Sequence, residues 1–174
     1  APAVKRQKTS SSAAASKKTR IGIVGYGSLG AYLSDYIVSP EGREQGLELA
    51  FVWNRSPEKV RASPHQAVRE VLLENLEQFA TGGSVDVVVE VAHPSITGQY
   101  AAAFLDGGAD YFCGSPTCFA DQAVETGVRD AVSRAGRALF LPAGALWGSA
   151  DIQKMSARGS LKGLTVTMKK APHH

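Results

Sequence analysis

The stretch IGIVGYGSLG, residues 21–30, sets three glycines at positions 25, 27 and 30 directly behind an apolar run. Glycine at this spacing, G-x-G-x-x-G, suits one kind of chemistry: the holding of a diphosphate by backbone amides at the start of a helix. On that reading Gly25 permits a tight turn, Gly27 lets the backbone approach the phosphates with no Cβ in the way, and Gly30 lets the new helix pack closely. The intervening Tyr26, Ser28 and Leu29 bring their amides to the same bend. A merely structural turn gives no reason for all three glycines.

Two further clusters could complete such a site. At the end of the next apolar run stands Trp53-Asn54-Arg55-Ser56, where a carboxylate would bind the adenosine ribose of NAD and repel a 2′-phosphate. Neutral Asn54 can instead hydrogen-bond the ribose, and Arg55 can pair with a phosphate, which favours NADP over NAD while leaving either in play. The plain alternative for Arg55 is a solvated surface charge. Farther on, Glu90-Val91-Ala92-His93-Pro94 and Gly114-Ser115-Pro116-Thr117-Cys118 each follow a branched or aromatic run. Ala92, His93, Ser115 and Cys118 are therefore candidates to line the cofactor. His93 is either a general acid or base or a residue that shapes the turn beside the pocket. Cys118 is not needed as a nucleophile, since hydride transfer uses none. No catalytic residue and no metal ligand is assigned within the chain.

These clusters need elements to carry them. Residues 20–24, 47–53, 85–91, 111–113 and 138–141 read as strands, the third nearly continuous in Val, as in a parallel strand covered on both faces. Helices are expected between them. One has Leu29, Tyr32, Leu33, Tyr36 and Ile37 along a face and is ended by Pro40 and Gly42; others cover 96–104 and 121–135, the last with Asp121 as its cap. Residues 57–80 fit either one helix, with Val68, Val71, Leu72, Leu76 and Phe79 on a face, or a helix, a short strand at 71–73 and a further turn. Strand and helix alternate throughout. The fold class is α/β, a Rossmann-type doubly wound parallel sheet.

After Pro142 come the small-residue loop AGALWG, a short helix at 149–157, and LKGLTVTMK at 161–169 with the alternation of a half-solvated strand. The expected domains are a disordered basic tail at 1–19, a dinucleotide-binding domain at 20–145, and at 146–174 the start of an incomplete α+β substrate or dimerisation domain.

The net charge of +3 is unevenly placed: residues 1–19 carry +5 and no acid, and residues 20–174 carry −2. A nucleic-acid groove in the body is not supported. Nor is a membrane span, since no apolar run approaches the roughly 20 residues it needs. The basic clusters Lys5-Arg6 and Lys17-Lys18 fit a bipartite signal, at 5–18, for a nuclear import carrier; the alternative is a solvated leader. Cys113 and Cys118, the two cysteines present, read as reduced thiols in a reducing compartment, so the expected location is cytoplasmic, with the nucleus open through the tail.

In this order GYGSLG, LELAFVWNR, VDVVVEVAHP, GSPTCFAD, GALWG and LKGLTVTMKK resemble the L-aspartate dehydrogenase family, over about residues 20–170. The resemblance implies oxidation of L-aspartate to iminoaspartate, and onward to oxaloacetate and ammonia, with NAD or NADP. A homodimer through the second domain is a further partner expectation, though the residues themselves fix no oligomeric state. The family's catalytic Asn and His are expected downstream of residues 161–169, beyond His174. The alternatives are a truncated NADP-binding module without turnover, or a related two-domain reductase of the homoserine dehydrogenase or dihydrodipicolinate reductase type.

Overall fold

Branched runs spaced by amphipathic segments can bury both faces of a sheet only if helices return each strand to the same edge, which forces parallel pairing. The computed structural model describes residues 18–80, 84–142, 148–167 and 169. Its strands are β1 (Thr19–Val24), β2 (Leu47–Trp53), β3 (Leu72–Leu73), β4 (Val87–Glu90), β5 (Asp110–Cys113) and β6 (Leu139–Phe140). All pairings are parallel, in the order β3-β2-β1-β4-β5-β6. The order reverses between β1 and β4, the point at which open α/β sheets bind dinucleotides outside their strand ends.

The helices are α1 (Ser28–Val38), α2 (Pro40–Glu44), α3 (Pro57–Arg61), α4 (Gln66–Glu70), α5 (Glu77–Ala80), α6 (Pro94–Asp106) and α7 (Gln122–Ala135), with a 3-10 turn at Pro116–Ala120. Asp121 caps α7 as expected, accepting from the Ala123 amide at 2.8 Å. The core forms two clusters, one around Phe51, Phe104 and Tyr111, the other around Ile23, Val52, Val60 and Val68. Phe51 and Tyr111 each stack with Phe104, with ring centroids 6.3 and 6.2 Å away.

Two expectations are corrected, and an open one is resolved. The apolar face assigned to α1 is wrong in part: Leu29, Tyr32 and Tyr36 are 56, 67 and 37% exposed, whereas Ile37 is buried and Leu33 packs against the core, and the other buried positions are Gly30 and Ser34. Gly30 must face the turn it packs against, and the Ser34 hydroxyl, donating to the Gly30 carbonyl at 2.8 Å, can be buried without loss. Pro40 ends one helix but also opens the next, where Ser39 caps α2. Residues 57–80 take the second of their two readings, with β3 between short helices.

The chain divides into two compact units, 1–141 and 142–174. In the second, α8 (Ser149–Ala157) forms where expected, but residues 161–167 and 169 adopt no strand and Leu164 and Val166 are each 54% exposed. Alternation alone does not hold a strand that lacks a neighbour. The basic tail over residues 1–17, most of the GALWG loop and Met168 lie outside the described residues. No described helix is long and apolar enough to cross a membrane.

Candidate functional site

The glycine turn joins β1 to α1, and each glycine there answers a different demand. Gly25 has φ of +109°, and a Cβ on it would lie 2.8 Å from the backbone of Val91 and Ala92. That backbone conformation strains L side chains. A Cβ on Gly30 would meet the Gly25 carbonyl oxygen at 1.8 Å, so the helix start rests on the turn itself. Around Gly27 nothing lies within 4 Å of that position. Its backbone is ordinary, with φ of −85° and ψ of −165°, and it is the N-cap of α1 with no side chain to satisfy the helix amides. Two glycines serve the fold, and the third leaves the helix N-terminus bare.

That N-terminus opens on a cleft of about 370 Å³ lined by Gly25, Tyr26, Gly27, Trp53, Asn54, Arg55, Lys59, Val91, Ala92, His93, Ser95 and Ile96. It lies at the carboxyl ends of β1, β2 and β4. Seven of the expected site residues meet there: Gly25, Tyr26, Gly27, Asn54, Arg55, Ala92 and His93. Ser28 and Leu29 are exposed on α1 without lining it, Gly30 is packed away, and Ser115 and Cys118 stand behind it. Trp53, Val91, Ser95, Ile96 and Lys59 were missed. Lys59 comes from α3, and its one signal was its place four residues after Arg55, on the turn that follows Pro57.

Asn54 has a structural task that its type did not reveal. Its Oδ1 accepts from the Tyr26 amide at 2.9 Å and its Nδ2 donates to the Ser56 carbonyl at 2.9 Å, which ties the end of β2 to the glycine turn. His93 is likewise engaged. It caps α6, Nδ1 accepting from the Ser95 amide at 3.2 Å and lying 2.9 Å from the Ser95 hydroxyl. A ring nitrogen that accepts from an amide carries no proton, so the neutral ring holds its hydrogen on Nε2.

Behind residues 91–93, Glu90 ends β4 with no exposed surface. Its Oε1 accepts from the amides of Ala92 at 2.7 Å and His93 at 2.9 Å and from the Ser115 hydroxyl at 3.1 Å. Its Oε2 accepts from the Ser115 amide at 3.1 Å. One carboxylate thus joins the β4 and β5 loops, and Ser115 acts on the site through Glu90. Cys113 and Cys118 are free thiols with Sγ atoms 3.9 Å apart. Burial pushes the Cys113 thiol up to about 11 against the lowering influence of the Thr97 hydroxyl, and burial raises the Tyr111 phenol far more. The Cys113 sulfur is thus not an activated nucleophile.

The parts present fit a nicotinamide dinucleotide: a bare helix N-terminus for the diphosphate, cations at the second strand end, and no carboxylate lining the cleft. Comparison with known proteins agrees. Residues 25–142 match the family model described as homoserine dehydrogenase, NAD binding domain. An aspartate dehydrogenase domain-containing protein of Xenopus tropicalis is 44% identical over 90% of this chain and 53% of its own length. An L-aspartate dehydrogenase of Archaeoglobus fulgidus is 27% identical over 74% of this chain and 48% of its own. The chain thus spans about half the length of these curated relatives. Among solved structures, the aspartate dehydrogenase of Thermotoga maritima shares the fold with a TM-score of 0.59 at 20% identity, covering 80% of this chain and 52% of that one.

Proposed function

The chain belongs to the homoserine dehydrogenase type of NAD-binding domains and, within it, to the aspartate dehydrogenase family; from that premise we propose that it is the cofactor-holding part of an amino-acid oxidoreductase that prefers NADP. One observation carries the reading. In a single cleft Gly27 turns a side free of any Cβ toward open space, while Arg55 and Lys59 line the end of β2. The first suits a diphosphate. The second suits a 2′-phosphate, which two cations attract and which the carboxylate usual in NAD sites would repel.

When bound, the nicotinamide supplies the hydride acceptor. The chain's own residues hold and shape: the helix amides after Gly27 cradle the diphosphate, Asn54 keeps the turn in register, and Val91 to His93 form the wall at the end of β4. The family names point to L-aspartate as the substrate, losing hydride from its α-carbon to the nicotinamide and a proton from its amino group to solvent to give iminoaspartate, which water converts to oxaloacetate and ammonia. Calorimetric titration with NADPH and NADH tests the cofactor choice. NADPH binds more tightly, and Arg55→Ala weakens it selectively by about 1–3 kcal/mol, the worth of a charge-assisted hydrogen bond. Equal affinities untouched by the substitution overturn the NADP preference.

A second reading, a module that binds cofactor without turnover, draws support from the cleft's acid–base groups. His93 is the one histidine that lines the cleft, and its Nδ1 is committed to capping α6. Aspartate-dependent NADPH formation by this chain alone rules out that reading.

A further inference from the structure

Glu90 is a buried acid with no salt-bridge partner among the described residues. Among the described residues no Lys, Arg or His side chain is hydrogen-bonded or ion-paired to it; its partners are the amides of Ala92, His93 and Ser115, the Ser115 hydroxyl and, at longer range, the Thr97 hydroxyl at 3.5 Å and the Cys113 thiol at 3.9 Å. Buried carboxylates are ordinarily matched by a cation. Backbone dipoles stabilise such a group without cancelling its charge. A carboxyl group gathered by four N–H and O–H donors, with no cation beside it among the described residues, therefore lies beneath Val91, Ala92 and His93, three residues of the cleft wall, at the reversal point of the sheet.

The two forms of a nicotinamide cofactor differ in just this respect: the oxidised ring is cationic and the reduced ring is neutral. Resting on the assignment of the cleft to a nicotinamide dinucleotide, we propose that Glu90 is a positioning and selectivity residue. Its carboxylate holds the amides of residues 92, 93 and 115 in place, and its uncompensated charge makes the chain bind the oxidised cofactor in preference to the reduced one. A site so biased loads the form that accepts hydride and releases the form that carries it. Because the charge lies out of solvent, salt screens it little.

The test is fluorescence or calorimetric titration of the chain with NADP⁺, NADPH, NAD⁺ and NADH, in the wild type and in Glu90→Gln and Glu90→Asp. The wild type binds the oxidised member of each couple about tenfold more tightly than the reduced member, at low salt and at about 1 M salt alike. Glu90→Gln, neutral and of the same size, brings that ratio near one. Glu90→Asp keeps the charge and restores the preference, though both affinities fall as the amides are held less well. A purely structural role instead lowers both affinities in Glu90→Gln and leaves the ratio alone, which overturns the proposal. If Glu90→Gln does not fold, the wild type decides: reduced cofactor bound as tightly as oxidised, or a preference that fades with salt, also overturns it. A wild-type chain that binds none of the four nucleotides refutes instead the assignment of the cleft.

Discussion

The two walls of the cleft are built on opposite plans. The β1–α1 wall is made by removing side chains: Gly25, Gly27 and Gly30 let backbone pass where a Cβ would collide or intrude. The β4–β5 wall is made by burying one: the Glu90 carboxylate gathers the amides of two loops beneath the surface. The first kind of wall is written in residue types at fixed spacing. The second depends on which donors the fold delivers to one acid, and nothing in VVVEVAHP marks its Glu as fully buried.

The contrast can be broken most severely at Gly30. A methyl there would sit 1.8 Å from the Gly25 carbonyl oxygen, so Gly30→Ala forces the turn and helix apart. The expected loss is about 3 kcal/mol, at the upper end for overpacked sites, seen as a Tm lowered by roughly 6–12 °C. Gly27→Val sharpens the comparison, because space is free and the backbone conformation is ordinary. Its stability changes by less than about 1 kcal/mol in chemical denaturation, while dinucleotide affinity falls at least about tenfold. Glycine is needed at both places, for the fold at one and for the ligand at the other.

A smaller effect is expected at the joint between β2 and the glycine turn. Asn54→Ala removes two hydrogen bonds, to the Tyr26 amide and the Ser56 carbonyl. It lowers stability by about 1–2 kcal/mol and raises hydrogen exchange at Tyr26 before exchange in the sheet. A further effect, confined to alkaline pH, lies behind the second wall. Cys113, with its thiol raised from 9.0 to about 11 in the folded chain, binds more proton there than in the unfolded chain between those values. Stability present below pH 9 is therefore lost as pH rises toward 11. Cys113→Ala flattens this part of the alkaline unfolding curve, and an unchanged slope counts against the buried thiol.

Much of the fold was legible because its signals are local. All five strands expected between residues 20 and 141 formed within two residues of their predicted ends, and the short strand at residues 72–73 answered to one of two open readings. Asp121 capped its helix because an Asx side chain reaches the amide two residues on, whatever the tertiary context. The failures share a cause. Leu29, Tyr32 and Tyr36 have helical spacing and were taken as the inner face of α1, but Gly30 has to meet Gly25, and that contact rotates the three large residues outward. Residues 161–169 have the period of a strand, yet period describes how a strand would face a sheet and supplies no partner to bond with.

The amino-acid sequence by itself determined where backbone had to be bare, where branched runs would pair in parallel, and hence that the chain would form a doubly wound sheet with a diphosphate-sized opening after its first strand. Those are matters of φ, of Cβ volume and of periodicity, each settled within a few residues. Only the tertiary structure decided that Lys59 would join Arg55 in the cleft, that Asn54 would bind Tyr26 across 28 positions, and that Glu90 would hold Ser115 across 25. Such partners are chosen by the sheet order, which brings distant strand ends to one edge, and a buried polar group bonds to whatever donors that edge presents.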